Sequence, residues 1–376
     1  MKQRKTLLHD KNDNYERLSS KANVDRARAA AYARRIKVDS RTRLRCYTGA
    51  KGPGHRAQWI VEMRVKKMPK LTAELLGLRM IWDAAPHNAF TDLVRHRGSW
   101  LCAFREGASH ALCPGKVRVL ISKDGSSWES AALIAERAVD LRDPKFSHAP
   151  GGRLELLMGG SPVRQGRYEG RRPRICSSAD GLSWTPPLAI AEEGDWLWRI
   201  DRAAGRSYGI SYRLPSTRRW TVHLLESADG LDYRELAELG VRGKPNEATL
   251  RFRGREAIAL VRREAGNGRS WIGASMPPYR AWTWSETEHR LGGPNFIVLP
   301  GGTLIAAARI WRRGRPSAAL CAMTEKSLSP ILLLPSGGDC GYPGMVFHRG
   351  VLWISYYSSH EGKSRIYLAR ARLKLR

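Results

Sequence analysis

The chain has 376 residues, of which 42% are hydrophobic, and its formal net charge is +30 at pH 7. That hydrophobic fraction is enough for a sizeable core, which excludes a chain that is disordered throughout. No stretch approaches the roughly 18 uninterrupted apolar residues that a membrane-spanning helix needs, so we expect no membrane partner.

The first 70 residues form a basic extension with little apolar periodicity, apart from a short helix predicted over residues 24–36. A basic arm can bind nucleic acid by releasing counterions, or it can be a solvated and poorly ordered extension. We favour the second interpretation, so nucleic acid is not the expected partner. Because Met63 and Met68 shortly precede the first patterned sequence near Leu71, a third interpretation is an over-called start of the reading frame.

The N-terminus is charged from Met1 to Lys5, where a secretory signal would lead into an apolar core. We therefore expect a cytoplasmic protein. The six cysteines contain no CxxC pair, which argues against a zinc ribbon, and their scatter gives no support for a disulfide framework. We expect neither a cofactor nor a metal ion.

Beyond residue 75 the sequence repeats a simple unit, in which an apolar run, a Gly-centred turn and a second apolar run follow each other. Glycine between two strand-like runs supplies the positive φ that a tight hairpin requires. The repeat length is about 50 residues, and such a period with short β-rich runs is typical of propeller blades. The six turn glycines are Gly98, Gly152, Gly205, Gly254, Gly302 and Gly350. We predict an all-β fold, a six-bladed β-propeller over residues 77–376.

A second motif follows three of these turns. Ser-x-Asp-Gly-x-x-Trp occurs at residues 122–128 and 178–184, and a version that ends in Tyr occurs at residues 227–233. Its Ser and Asp can bond the turn backbone, its Gly permits a left-handed residue, and its aromatic ring can pack on the blade. We interpret the motif as scaffold and place none of its aspartates in an active site.

Each unit divides into four short strands, which in the second unit we predict at residues 144–149, 153–159, 171–177 and 184–191. The sixth unit has only three, because the chain ends after the third. We expect residues 78–82, ahead of the first unit, to supply the missing outer strand. Such a strand closes the ring and removes exposed sheet edges.

Polar residues are concentrated where the first strand of each unit begins. These strands line the central channel of a propeller, so the residues at their starts are candidates for ligand binding. Arginines bind carboxylates bidentately, and together with carboxylates and aromatic rings they suit an anionic or sugar ligand. The alternative is a ring of salt bridges between blades. The candidates at these strand starts are Asp92, Arg142, Asp143, Arg199, Asn246, Glu247 and Tyr342, and the first unit adds Arg105, Glu106 and His110 after its second strand.

Four segments carry a resemblance to a known family: NAFTDL at residues 88–93, FREG at 104–107, LRDPK at 141–145 and YYSSHEG at 356–362. With the Ser-x-Asp-Gly motifs, which match that family's Asp-box, they make residues 77–376 resemble the sialidase superfamily. The likeness is greatest to its uncharacterised bacterial exo-sialidase-like members. It implies a retaining hydrolase with a tyrosine nucleophile, an assisting glutamate, an acid/base aspartate and three arginines on the substrate carboxylate.

The resemblance implies that Tyr342 is the nucleophile, Glu247 its base and Arg262 one of the three arginines. The family's first arginine falls near Ala89, where this chain has none. The arginine of the fifth unit falls near Ser317, with Arg315 two residues away.

The acid/base has no clean counterpart and stays open among Asp92, Glu106 and His110. We expect further substrate contacts from Arg105, Arg142, Asp143, Arg199 and Asn246.

The predicted function is a glycoside hydrolase of exo-sialidase type that acts on an acidic or polar terminal sugar of a glycan or glycoconjugate. The alternative is a propeller that binds carbohydrate, or another partner, without catalysis. Tyr342, Glu247 and a nearby acid favour the enzyme, and the gaps in the arginine set favour the binding protein. The sequence makes no prediction about oligomeric state.

Overall fold

Short apolar runs form β-strands throughout the part of the chain that the computed structural model describes, residues 71–375, and the inner strands are almost continuously buried. The basic extension, its predicted helix and its alternative start lie outside the described residues. Within residues 71–375, no helix has the length and hydropathy that crossing a bilayer requires.

The strands form six antiparallel sheets. The chain begins with β1 (Leu71–Trp82). Blade 1 consists of β2 (His87–His96), β3 (Ser99–Gly107), β4 (Lys116–Ser122) and β5 (Glu129–Ile134). Blade 2 consists of β6 (Val139–His148), β7 (Leu154–Arg164), the short β8 (Arg167–Tyr168), β9 (Arg172–Ser178) and β10 (Leu188–Ala189), with a 3-10 helix at Pro150–Gly152. Blade 3 consists of β11 (Trp196–Ala203), β12 (Arg206–Arg213), β13 (Thr221–Ser227) and β14 (Arg234–Glu238).

The second half of the ring repeats this pattern. Blade 4 consists of β15 (Pro245–Arg253), β16 (Glu256–Arg263), β17 (Trp271–Ser275) and β18 (Thr283–Glu286). Blade 5 consists of β19 (Leu291–Val298), β20 (Leu304–Arg312), β21 (Arg315–Met323) and β22 (Leu328–Leu333). Blade 6 consists of β23 (Cys340–His348), β24 (Val351–Ser358) and β25 (Arg365–Leu375), completed by β1. The prediction of a six-bladed β-propeller is confirmed.

The ring closes through β1, which pairs antiparallel with β25 at the outer edge of blade 6. An N-terminal strand therefore completes the last blade, as the missing fourth strand indicated. The pairing extends back to Leu71, so the strand is longer than the predicted residues 78–82 and begins before the predicted boundary at residue 77.

The outer strand of blade 2 differs from its prediction. Residues 184–191 were expected to be extended, but only Leu188–Ala189 pair with the sheet. Pro186 and Pro187 precede this pair, and a proline has no N–H to donate to a ladder. The prolines therefore shorten the strand.

The core lies between neighbouring blades, where the apolar faces of two sheets meet. One cluster joins blades 1 and 2 and contains Leu101, Val119, Leu141 and Leu156, all fully buried. Similar clusters join blades 3 with 4, 4 with 5, and 5 with 6. Burying each such side chain contributes about 1.5–3 kcal/mol to the free energy of unfolding. Similar apolar contacts between neighbouring sheets therefore stabilise the ring of blades.

Every innermost strand carries a bulge at the same place. Two of its residues lie opposite a single residue of the second strand, and regular pairing then resumes. Such a bulge bends the strand and redirects its side chains. The bulged pairs are Phe90–Thr91, Asp143–Pro144, Trp198–Arg199, Asn246–Glu247, Gly293–Pro294 and Tyr342–Pro343. They define one end of the channel, which we call the mouth.

Three hairpins at the opposite ends of the strands share one hydrogen-bond pattern. In the second of them, Asp180 Oδ1 accepts the backbone N–H groups of Leu182 (2.8 Å) and Ser183 (2.9 Å). Ser178 Oγ accepts the N–H of Gly181, whose φ is 81°, and Trp184 Nε1 donates to the Gly181 carbonyl. The turns at Asp124 and Asp229 contain the same carboxylate bonds.

Candidate functional site

The bulges hold several mouth residues in a strained backbone conformation. Phe90 (φ 62°), Asp143 (φ 52°) and Tyr342 (φ 50°) all occupy the left-handed region. This region costs energy for residues other than glycine, and most of all for bulky ones. Strained residues of this kind cluster at functional sites, because the surrounding structure must hold them in place. The mouth is therefore the candidate functional site of the propeller.

Tyr342 and Glu247, which are 95 residues apart in sequence, meet at the mouth. The Tyr342 hydroxyl donates to Glu247 Oε1 at 2.5 Å. Glu247 Oε2 accepts the backbone N–H of Gly293 at 2.8 Å and pairs with Arg262 Nη1, also at 2.8 Å. Both carboxylate oxygens are thus held in place, and one of them contacts the phenol.

The protonation states of this pair follow from burial and charge. Burial, together with the negative charge of Glu247, raises the pKa of Tyr342 well above its ordinary value, so the phenol keeps its proton. Burial alone would raise the pKa of Glu247, but the charge of Arg262 and the hydrogen bonds from Arg262, Tyr342 and Gly293 together outweigh it and lower that pKa overall. At neutral pH a protonated phenol therefore donates to an ionised carboxylate.

Aromatic rings surround the Tyr342 side chain. Phe90 and Trp198 meet it edge-on, with ring centroids 4.9 and 5.9 Å away, and Tyr357 lies at 5.9 Å. Trp198 belongs to blade 3 and Tyr342 to blade 6, so these two side chains come from opposite sides of the propeller. Aromatic contacts of this kind add rigidity beyond their buried area.

Three guanidinium groups lie around the Phe90–Tyr342 pair. Arg262 Nη1 donates to the Tyr342 hydroxyl at 3.0 Å. The Arg309 guanidinium lies 5.4 Å from the Tyr342 ring centre, and the Arg142 guanidinium lies 4.8 Å from the Phe90 ring centre. The three arginines come from blades 4, 5 and 2, and each of them also pairs with a carboxylate of the chain.

Asp143 is a buried carboxylic acid without a fixed partner on one oxygen. Its side chain lies at the bulge of blade 2, and Oδ1 has no hydrogen-bond partner among the described residues. Burial raises its pKa, and the opposing charge of Arg142 does not cancel this effect. A carboxyl group of this kind can hold a proton that a carboxylate in water would lose.

The other acid/base candidates among the carboxylates are fully engaged. Asp92 accepts both terminal nitrogens of Arg199, at 2.9 and 3.0 Å, and both groups are almost completely buried. Glu106 accepts Trp82 Nε1 at 2.6 Å on one oxygen and Arg118 Nη2 at 2.9 Å on the other. These contacts join elements of the scaffold.

The remaining predicted residues lie in different surroundings. Arg105 is completely buried, and its guanidinium pairs with Asp140 at 2.7 Å and holds the Ser109 carbonyl. Asn246 is part of the blade 4 bulge and accepts the N–H of Glu247. Arg315 is an exposed residue at the start of β21, in the hairpin that joins β20 to β21.

His110 lies in the loop after β3, half exposed. Its Nδ1 is 2.8 Å from Asp339 Oδ2. The structure therefore brings together Tyr342, Glu247 and Arg262, with Asp143 and Arg142 close by, and gives Asp92, Arg105 and Glu106 internal partners.

Sequence reasoning missed Arg309 as the mouth arginine of blade 5. It lies on β20 directly opposite Gly292, the residue before the bulge, and donates to the Tyr357 hydroxyl at 2.8 Å. Arg315 was predicted because the family's fifth-unit arginine falls near Ser317, two residues away. The strand register would have identified Arg309, because Arg105 and Tyr357 occupy the same position in their own blades.

No protein-family model matches the chain, and no curated protein matches it in sequence. A solved structure of a protein of unknown function from Dyadobacter fermentans superposes with a TM-score of 0.71 at 19% identity, over 81% of this chain and 100% of that one. Trypanosoma rangeli sialidase in complex with the inhibitor DANA superposes at 0.60 and 12% identity, over 81% of this chain and 60% of that one. The fold is that of a sialidase-type propeller.

A third structure extends the comparison to another sugar-cleaving enzyme. The α-L-arabinofuranosidase of Fusarium graminearum superposes with a TM-score of 0.61 at 13% identity, over 79% of this chain and 98% of that one. At such identities the likeness concerns the fold alone, so any activity must be argued from the residues at the mouth.

Proposed function

We propose that this protein is a retaining glycoside hydrolase of exo-sialidase type that acts on an acidic terminal sugar. The observation that carries the proposal is the 2.5 Å contact between the Tyr342 hydroxyl and Glu247 Oε1. A phenol is a weak nucleophile at neutral pH because its ordinary pKa is about 10, so it needs an adjacent base. An ionised carboxylate within hydrogen-bond reach can take its proton.

In the proposed reaction, the Tyr342 oxygen attacks the anomeric carbon while Glu247 takes the phenolic proton. The bond from that carbon to the leaving oxygen breaks, and a general acid protonates the oxygen. Water then attacks the same carbon and gives a proton to the former acid, while Tyr342 leaves and recovers its proton from Glu247. Two displacements restore the original configuration, which makes the enzyme retaining.

The guanidinium groups support an acidic substrate. Arg142, Arg262 and Arg309 provide three cations around the Phe90–Tyr342 pair, and arginine binds carboxylates with planar, paired hydrogen bonds. Arg142 supplies a cation from the neighbouring blade where no arginine occurs near Ala89. A neutral phenol also avoids the repulsion that an attacking carboxylate would meet beside a substrate carboxylate.

We assign the general acid to Asp143. An acid must hold its proton near neutral pH and have an oxygen that no other group occupies; burial raises the pKa of Asp143, and its carboxyl group accepts no hydrogen bond among the described residues. Asp92 and Glu106 lack a free oxygen. Replacing Asp143 with Asn should slow cleavage of unactivated glycosides far more than cleavage of aryl glycosides, whose leaving groups need little protonation. Equal loss on both classes would contradict the assignment.

The test of the proposed function is a panel of fluorogenic glycosides, including sialosides, run with the full chain and with Tyr342→Phe. We expect turnover of an acidic glycoside, and a kcat at least about a hundredfold lower in the variant. Tyr356→Phe is the matched control, because that phenol, on the second strand of the same blade, bonds only the Pro335 carbonyl among the described residues.

Near-normal turnover by Tyr342→Phe would make this residue structural. Binding on a glycan array without turnover of any glycoside would instead support a carbohydrate-binding propeller. The arginines that already pair with the chain's own carboxylates, Arg262 with Glu247 and Arg309 with Asp339, favour this alternative.

A further inference from the structure

Two histidines and a carboxylate meet beside the mouth, outside the Tyr342–Glu247 pair. His87 begins β2, His110 lies in the loop after β3, and Asp339 precedes β23. Asp339 Oδ2 is 2.8 Å from His110 Nδ1 and 3.4 Å from His87 Nε2. One potential ligand atom from each residue lies within 4.8 Å of the other two. Residues from three separate segments thus converge on one point.

The Asp339 carboxylate is oriented so that its Oδ2 faces the two histidines. Asp339 Oδ1 accepts the Tyr357 hydroxyl at 2.7 Å and Arg309 Nη2 at 3.1 Å. These contacts hold the carboxylate plane and engage the other oxygen. Proteins orient metal-binding carboxylates in this way, through hydrogen bonds that do not involve the metal itself.

The two imidazole rings are also held, yet the point remains accessible. The rings of His87 and His110 meet edge-on at 5.1 Å, and Phe90 packs against both. The side chains of His110 and Asp339 are 51% and 32% exposed, which leaves room for an ion and for water. The ring of His87 makes its one polar contact among the described residues through Nε2, since its buried Nδ1 has no partner there.

We propose that His87, His110 and Asp339 bind a divalent transition-metal ion of the zinc type. Two imidazoles with one carboxylate, and further positions open to water, suit zinc, cobalt or nickel rather than calcium or magnesium. Ligand atoms about 2.1 Å from a tetrahedral ion lie about 3.4 Å from each other. The His87–Asp339 distance already has this value, and His110, whose Nδ1 is 2.8 Å from Asp339 Oδ2, lies on an exposed loop that can adjust.

The site shares Arg309 with the proposed substrate contacts, and Phe90 lies between the ion position and Tyr342. The Phe90 ring contacts His110 at 5.3 Å and Tyr342 at 4.9 Å between centroids. A bound ion would therefore lie one aromatic ring away from the phenol. It would remain bound in a protein whose Tyr342 has no catalytic role, so the two proposals fail separately.

The test is zinc binding by the untagged, metal-stripped full chain, measured by titration calorimetry, with cobalt as a spectroscopic substitute. We expect a single ion whose affinity falls at least about a hundredfold in His110→Ala and in Asp339→Asn. Tyr357→Phe removes the hydrogen bond that orients Asp339, together with the one that Tyr357 accepts from Arg309, and should weaken binding about tenfold. Cobalt should give visible absorption bands of a tetrahedral complex in the parent protein alone.

His348→Ala is the control, since that histidine ends β23 at the other end of the blade and should leave the affinity unchanged. His110 is half exposed on a loop, so His110→Ala should keep its melting temperature, which excludes unfolding as the cause of a lost site. Absence of zinc binding by the parent protein, or binding that His110→Ala and Asp339→Asn both leave intact, would overturn the proposal.

Discussion

The two ends of the same strands treat polar groups in opposite ways. At the turn end, Asp180 accepts two backbone N–H groups, and Ser178 accepts a third. At the mouth, Asp143 Oδ1 and Arg262 Nε are buried without partners among the described residues. Asp143 and Arg262 thus hold polar atoms at the mouth in a state that destabilises the fold, whereas Ser178 and Asp180 use theirs at the turn to stabilise it.

Repetition distinguishes the two ends as well. The three turns contain the same Ser, Asp and Gly making the same bonds. The six bulges share the same two-to-one register but carry different residues, from Gly293 to Tyr342. A residue that recurs in several blades serves what all blades need, which is folding. A residue that occurs in one blade only is a candidate for function, and the balance between stability and activity is expected to differ accordingly.

The largest effect that this comparison predicts concerns a carboxylate near the mouth that is fully paired. Asp92→Ala would leave Arg199 buried with no counter-charge, which should cost about 3–5 kcal/mol of unfolding free energy. Chemical denaturation of the full chain measures it. Asp92→Asn should cost less, because its amide oxygen can still accept the N–H of Phe146.

A double variant separates the lost charge from the lost packing. Asp92→Ala combined with Arg199→Met removes both charges and should recover much of the stability. If Asp92→Ala kept its full stability and lost turnover, Asp92 would be a functional residue of the mouth. Our assignment of Asp92 to the scaffold and of Asp143 to catalysis would then be wrong.

A smaller effect is expected at the turn end. Trp184 is half-buried against Phe146, not fully buried, so Trp184→Ala should cost about 2 kcal/mol, below the range for a fully buried ring. Turnover per folded molecule should stay normal. Thermal unfolding and kcat, measured on one preparation, check both statements.

The control in this turn is Leu182→Ala. The Leu182 side chain is 47% exposed, and its truncation should change the unfolding free energy by less than about 0.5 kcal/mol. A Trp184→Ala protein with the melting temperature of the parent protein but without turnover would contradict the comparison, because the turn end would then serve function and not stability.

The fold was predictable because its signals are repeated. The turn glycines fixed the number of blades, and the incomplete sixth unit indicated that an N-terminal strand closes the ring. Strand ends were less predictable where a local residue breaks the pattern. Pro186 and Pro187 shortened the outer strand of blade 2, and the Asp143–Pro144 bulge allowed β6 to begin at Val139, ahead of the predicted residue 144.

The site was only partly predictable, because side-chain partners depend on register between strands that are distant in sequence. Tyr342 and Glu247 were found from a family resemblance, and their contact follows from equivalent bulges in blades 6 and 4. Arg309 was missed because its position is set by its neighbour Gly292 across the strand pair. Glu106 and Arg105 have side chains suited to acid/base catalysis and to substrate binding. In the structure, however, Trp82 donates to Glu106 and Asp140 pairs with Arg105, and the sequence did not indicate these contacts.

The smallest predicted effect tests whether the charge of a turn aspartate stabilises the fold. Hydrogen bonds from the N–H groups of Ser183 and Leu182 lower the pKa of Asp180 to about 2, against about 3.9 in an unfolded chain. A lowered pKa means that the stabilisation is complete above the unfolded value and disappears as the pH falls toward the folded one. Asp180→Asn should therefore melt below the parent protein at pH 6, by at most about 2 °C, and the gap should close between pH 4 and about 2. Asp232→Asn is the control, because that exposed side chain pairs only with Arg234. A gap that stays constant down to pH 2 would mean that the turn depends on the shape of this side chain and not on its charge.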